Sequence, residues 1–193
     1  AMVERVVEDL RAAGHEVEVL PVGEWVAIGR RVGERVANGA ADIGIVGCWT
    51  GTGVSIAANK VPGVRAALCG DAVTAIGARR WNDANVLALS LRATSSAVAG
   101  EIVAAFLVTG PDAATAGDIA LVEEYERLLA DVPPVDQYAP TMALPVIAPA
   151  DESTQVATQF ATVPGEDEAA VVVESDPAAD LAADLALEPV DSV

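Results

Sequence analysis

The sequence predicts an α/β fold, a doubly wound parallel sheet in three layers with helices on both faces. Two observations carry this. Stretches with helical apolar spacing alternate with short apolar runs of strand length up to about residue 131. Gly, Asn, Asp or Ser residues stand at most of the junctions, where helices start and stop. Alternating elements of this size bury their apolar faces through crossovers around a parallel sheet.

The elements follow in order. Residues 2–13 place Val3, Val6, Val7 and Leu10 at helical spacing, and Gly14 stops the helix. Residues 16–20 alternate and read as a strand. Residues 25–37 carry Val26, Gly29, Val32, Gly33 and Val36 along one helical stripe, ended by Asn38-Gly39. Residues 42–47 form a buried strand, and a helix spans 54–60 after a Gly-rich turn. Residues 64–69 are a strand. Asp71 caps a helix that runs to Trp81. Residues 85–89 are the next strand, and Thr94 or Ser95 caps a helix to about Val108. Residues 114–131 read as one more helix, stopped by Pro133-Pro134. The whole is Rossmann-like, with an extra C-terminal helix. One irregularity stands out: the chain opens on a helix, whereas a doubly wound unit opens on a strand. The first strand is expected to be missing, which leaves a gap in the middle of the sheet with costly unpaired backbone groups. With Ala1 before Met2, the natural protein is expected to begin further upstream.

Charge and composition divide the 193 residues into two parts. Residues 132–193 hold 12 of the 29 acidic residues and no Lys or Arg. Residues 1–131 are read as the α/β domain and 132–193 as an acidic, disordered tail, with a weak helix near 178–187. The short apolar pieces at 143–148 and 169–173 have no evident partners nearby. A docking peptide that folds on a partner is the competing reading of the tail. A formal charge of −18 argues against nucleic acid as a partner. No apolar stretch is long enough for a membrane span, and no signal-peptide pattern is present. Two cysteines in a chain of this size suggest a reducing cytoplasm rather than a disulfide scaffold.

The stretch Cys48-Trp49-Thr50-Gly51-Thr52-Gly53 carries the chemistry. A thiol is expected at the carboxyl end of a buried strand, where open α/β sheets place ligands. Beside it a Gly-rich turn leads into a helix N-terminus, a geometry that favours anions, a thiolate among them. On position alone a small buried hydrophobe explains Cys48 equally well. The neighbouring turn favours the functional thiol.

From Gly14 to Phe106 the chain resembles the ribose-5-phosphate isomerase type B family, which includes subunits of galactose-6-phosphate isomerase. The residues that carry the resemblance are Gly14-His15-Glu16-Val17, residues 48–53, Ser55-Ile56-Ala57-Ala58-Asn59-Lys60, Arg65-Ala66-Ala67-Leu68-Cys69 and Asn82-Asp83-Ala84-Asn85-Val86-Leu87-Ala88. They occur in the family's order and spacing. The resemblance implies a cofactor-free, metal-free cytoplasmic isomerase of sugar phosphates, pentose phosphates included. It also implies a homodimer with its sites near the interface. It implies that Cys48 is the base, that Thr50 assists proton transfer, and that the amides of Gly51, Thr52 and Gly53 hold the enediolate. Asn82 would hydrogen-bond substrate oxygens, and Arg92 would contact the phosphate. Asn59 and Lys60 read as helix-end residues, Arg65 as an ion-pair partner, His15 as a turn residue and Cys69 as sheet packing.

Three departures bear on the substrate. The family's opening strand ends in an Asp-His pair for which this chain has no counterpart. The family's ring-opening His is replaced by Trp81, which has no acid–base role and is expected to pack and to line the pocket. The family's phosphate-clamping basic segment matches residues 111–131, which hold Arg127 as their only basic residue among six acidic ones. A site without a ring-opening group suits an acyclic substrate such as a tetrose phosphate. The same departures fit a second class, a non-catalytic relative or partner subunit that binds without turnover.

Overall fold

A computed structural model describes residues 2–130 and 169–174. Its helices are α1 (Met2–Ala12), α2 (Trp25–Ala37), α3 (Thr52–Ala58), α4 (Ala72–Asn82), α5 (Ser96–Val108) and α6 (Ala116–Ala130), the last preceded by a 3-10 turn at Ala113–Thr115. Its strands are β1 (Glu16–Leu20), β2 (Ile43–Cys48), β3 (Ala66–Leu68), β4 (Val86–Ser90) and β5 (Ala169–Glu174). The predicted caps form. The Asp71 carboxylate accepts from Thr74 N (2.7 Å), and Ser95 Oγ accepts from Val98 N (3.3 Å).

The sheet order is β1-β5-β2-β4-β3. β2, β4 and β3 pair in parallel. Alternate residues of these strands face opposite layers, as the period of a strand requires. Ile43, Ile45, Leu87 and Leu89 pack under α1, α4 and α5 with Val6, Leu10, Ala75, Ile102 and Phe106. Val46, Cys48, Val86 and Ala88 pack under α2 and α3 with Ile28, Val32, Val54 and Ala58. The three-layer doubly wound fold is therefore as the sequence predicts. Among the described residues no single helix is long and apolar enough to cross a membrane.

The expected gap in mid-sheet is where the structure departs. β5 fills it, pairing antiparallel with β1 on one side and with β2 on the other. This corrects the reading of the whole of residues 132–193 as a disordered tail. The physical reason is the gap itself: unpaired N–H and C=O groups of β1 and β2 are costly when buried, and an apolar extended segment satisfies both edges at once. The remaining parts of that tail, including 143–148 and the helix expected near 178–187, lie outside the described residues.

Candidate active site

Cys48 is the last residue of β2, at the carboxyl end of the parallel strands and opposite Ser90 of β4. The loops that leave these two strands are bonded to each other. Leu91 N and Gly51 N both donate to Cys48 O (3.0 and 3.1 Å), and Arg92 N donates to Trp49 O (3.1 Å). Ser90 Oγ donates to Trp49 O (3.0 Å) and accepts from Ala93 N (3.1 Å). Ser90 is thus a site-building residue that sequence reasoning missed. Its signal was a lone hydroxyl ending the otherwise apolar run of β4.

The turn into α3 depends on Gly51. Its φ of +75° lies in the left-handed region, and a Cβ there would stand 2.5 Å from Leu68 Cδ1 and 2.8 Å from Leu89 O. Gly53 sits under the Trp25 ring, 3.0 Å from where its Cβ would be. The first helical bond of α3 runs from Ser55 N to Gly51 O (3.2 Å). Gly51 provides no side-chain cap. The N–H groups of the first turn, those of Thr52, Gly53 and Val54, therefore precede the helical ladder and have no acceptor within it. Thr50 Oγ1 and Thr52 Oγ1 share a hydrogen bond of 2.7 Å over this turn. Cys48 is a free cysteine, 6% exposed, at the floor of the loop. Trp49, the next residue, is 43% exposed. Arg92 is exposed and forms no ion pair among the described residues, and its backbone N–H ties it to the Cys48 loop at Trp49 O. Cys48, Thr50, Gly51, Thr52, Gly53 and Arg92 are thus gathered at one end of the sheet.

Trp81 and Asn82 are not with them. They end α4, which starts after the carboxyl end of β3 and returns to the amino end of β4, so within one chain they lie at the opposite end of the sheet. There they line a groove of about 440 Å³ with Asn59, Arg65, Val122 and Glu126, along the outer edge of β3. Trp81 lies on Gly77 of its own helix and is 58% exposed, so it lines this groove without packing into the core. The left-handed residue at the helix end is Asp83 (φ +44°).

Several neighbours have structural work. The Asn59 carboxamide pairs with both backbone groups of Ala66, donating to its O and accepting from its N (2.8 Å each). Arg65 Nη2 donates to Asp83 Oδ2 (2.6 Å), the ion pair expected for it. Burial of the Cys69 thiol, reinforced by the charge of Asp71, pushes its pKa up to about 11. Cys69 is thereby an inert packing residue, as expected. Asp71 itself is held below the ordinary carboxylate range by the hydrogen bond from Thr74 N. Burial lowers the Arg79 guanidinium, against the opposing charge of Asp83.

The chain is similar to several known proteins. The chain is 38% identical over 108 residues to galactose-6-phosphate isomerase subunit LacB of Clostridium acetobutylicum, covering 53% of this chain and 62% of that protein. It is 39% identical over 90 residues to D-erythrulose-4-phosphate isomerase of Pectobacterium atrosepticum, covering 45% of this chain and 59% of that one. The match thus spans less than two thirds of either relative. The solved structure of Clostridium thermocellum ribose-5-phosphate isomerase B superposes with a TM-score of 0.64 at 35% sequence identity, over 66% of this chain and 90% of that chain. The family model described as Ribose/Galactose Isomerase matches residues 1–118. With more than half its length matched, this chain belongs to the Ribose/Galactose Isomerase family.

Proposed function

We propose that the chain interconverts an aldose phosphate and its ketose phosphate, with Cys48 as the proton-transfer group. The observation that carries this is the loop at the carboxyl end of β2, where a free thiol, two bonded hydroxyls and the start of α3 stand together and the backbone of Arg92 joins Trp49. Cys48 Sγ, as thiolate, takes the proton from C2 of the aldose. The electron pair moves into a C1–C2 double bond, and the C1 oxygen gains negative charge. The amides of Thr52 and Gly53 face that charge, the Gly51 turn sets their aim, and Thr50 Oγ1 moves the remaining hydroxyl proton from O2 to O1. Returning the proton from sulfur to C1 completes the ketose. Donors fixed before the reaction need no reorganisation in the transition state, and removal of one such donor in other enzymes costs on the order of 3 kcal/mol. Arg92 holds the phosphate.

The substrate is the finer question. The three relatives named above carry names that specify a hexose, a tetrose and a pentose phosphate. Trp81, in place of a ring-opening group, favours a short acyclic substrate such as erythrulose 4-phosphate. The functional unit is a homodimer, and the separation of Trp81 and Asn82 from Cys48 within one chain supports this. In the pair, these residues of one protomer serve the loop of the other. The test is to incubate the full-length protein with ribose 5-phosphate and with erythrulose 4-phosphate. Interconversion of the second but not the first is expected, and turnover of ribose 5-phosphate at ordinary enzyme rates overturns the acyclic assignment. Mixing inactive Cys48→Ala and Asn82→Ala chains is expected to restore activity, because some mixed dimers hold one intact site. No recovery on mixing overturns the shared site.

A further inference from the structure

The β2–β4 ladder ends at the pair Cys48 and Ser90, yet the two chains stay joined beyond it. Leu91 N donates to Cys48 O, which is the next bond of a regular parallel ladder. Arg92 N then donates to Trp49 O, out of that pattern, because only alternate N–H groups of a strand face one neighbour. The chain therefore turns at Leu91 and Arg92, and Thr94 N closes the turn on Ser90 O (3.0 Å). The Ser90 hydroxyl joins this turn to the Cys48 loop. It donates to Trp49 O (3.0 Å) and accepts from Ala93 N (3.1 Å). One oxygen thus ties the residue after the thiol to the residue after Arg92. Trp49 O takes two donors, which fixes the peptide that joins Trp49 to Thr50 at the start of the turn. The four residues of β4 before Ser90 are buried and three of them are Val or Leu, so packing asks for no hydroxyl on this strand.

We propose that Ser90 is a positioning residue: its hydroxyl holds Arg92 at a fixed spacing from the Cys48 loop, and that spacing sets the length of sugar phosphate the site accepts. This rests on the reading of Cys48 as the base and Arg92 as the phosphate contact. A sugar phosphate has its reacting carbons at one end and its phosphate at the other, so it must bridge the two loops. Ser90 acts through those loops and not on the substrate. Removal of its hydroxyl leaves both contacts in place, but one loop is then free to shift against the other on two backbone bonds alone. A misplacement of about 1 Å at a reacting centre costs about a hundredfold in rate. That cost falls on turnover of a whole substrate. It does not fall on the binding of free phosphate, which needs only the Arg92 end.

The experiment compares the full-length wild type with Ser90→Ala and Ser90→Thr on ribose 5-phosphate, erythrulose 4-phosphate and inorganic phosphate. Ser90→Ala is expected to lose about tenfold to a hundredfold in kcat on the favoured sugar phosphate. It is also expected to discriminate less between the two, with inhibition by inorganic phosphate unchanged. Ser90→Thr keeps the hydroxyl and is expected to restore turnover and discrimination. A wild-type kcat in Ser90→Ala, or no rescue by Ser90→Thr, overturns the positioning role. Undiminished discrimination in Ser90→Ala overturns the link to substrate length. Phosphate inhibition that weakens in proportion to kcat places the effect on Arg92 alone and overturns the fixed spacing. Amide hydrogen exchange reads the tie without turnover. The amides of residues 50–53 are expected to exchange faster in Ser90→Ala, and those of residues 86–89 at the wild-type rate. Unchanged exchange at residues 50–53 overturns the tie between the loops. A wild type inactive on both sugar phosphates overturns the isomerase reading instead, and the exchange result still decides the tie.

Discussion

Gly51 gives the sharpest test of how the loop is built, through Gly51→Ala compared with Gly63→Ala. Both glycines are left-handed, with φ of +75° and +80°. Placing an L side chain in that region costs about 1–2 kcal/mol. Their surroundings differ. A Cβ at Gly63 meets no heavy atom within 4 Å. At Gly51 it meets Leu68 Cδ1 at 2.5 Å, Leu89 O at 2.8 Å and Leu89 C at 2.9 Å. The leucine tip can rotate away, since Leu68 is 39% exposed, but the Leu89 carbonyl belongs to β4 and cannot move without breaking the ladder. Overpacking of this kind adds about 1–3 kcal/mol. The loss of unfolded-state freedom from Gly→Ala is common to both variants and cancels in the difference. Gly51→Ala is therefore expected to be less stable than Gly63→Ala by about 1–3 kcal/mol, read from urea midpoints at equal slope. It is also expected to lose isomerase activity, because the α3 amides shift with the turn, whereas Gly63→Ala keeps its activity. Equal destabilisation of the two variants, or full activity in Gly51→Ala, refutes the reasoning.

Two further predictions concern stability. Asn59→Ala removes the carboxamide that covers the backbone of Ala66 on the outer edge of β3. A loss of about 1–3 kcal/mol is expected in urea unfolding. Exposure of this edge is also expected to bring concentration-dependent association in light scattering; an unchanged midpoint with no association contradicts the edge role. The Cys69 thiol titrates near 11 in the folded chain against an ordinary value of 9.0. The folded state therefore holds its proton more tightly, so this stabilisation is complete below pH 9 and is lost as pH rises toward 11. Cys69→Ala is expected to flatten the fall in thermal midpoint across that interval, and an identical alkaline profile contradicts this.

Much of the fold could be read from local sequence. Asp71 and Ser95 announced their helices because N-cap chemistry is contained within four residues. The strands of the parallel ladder were visible as short apolar runs between helical stripes. The turn at Gly51 was legible because a Gly-rich segment between a buried strand and a helix has few alternatives. β5 was not legible for the opposite reason. Five of its six residues are an apolar run whose partners lie more than a hundred positions away, and nothing local distinguishes a central strand from a short apolar stretch in an acidic segment. The order of elements led to the expectation of a gap in the sheet, but the sequence alone did not say that residues 169–174 pair there. For Trp81 and Asn82, the family resemblance implied a place in the substrate pocket. Only the path of α4 shows that they stand at the other end of the sheet from Cys48. Burial of Cys48 follows from its place on the inward face of β2, beside Val46 and Val54. A thiol at the floor of a loop acts only on a substrate seated directly above it.

The proposal that Cys48 transfers the proton is tested most directly by turnover in D₂O. The substrate is whichever sugar phosphate the full-length protein interconverts, and the wild-type chain is compared with Cys48→Ala at matched thermal midpoints. With the thiol as the base, the wild-type product carries deuterium on the carbon that receives the proton. Cys48→Ala then loses roughly 10²–10⁴ in kcat, the range expected for a positioned acid–base group. Unchanged turnover with the same deuterium pattern in Cys48→Ala would contradict the account and leave Cys48 as a packing residue at the end of β2.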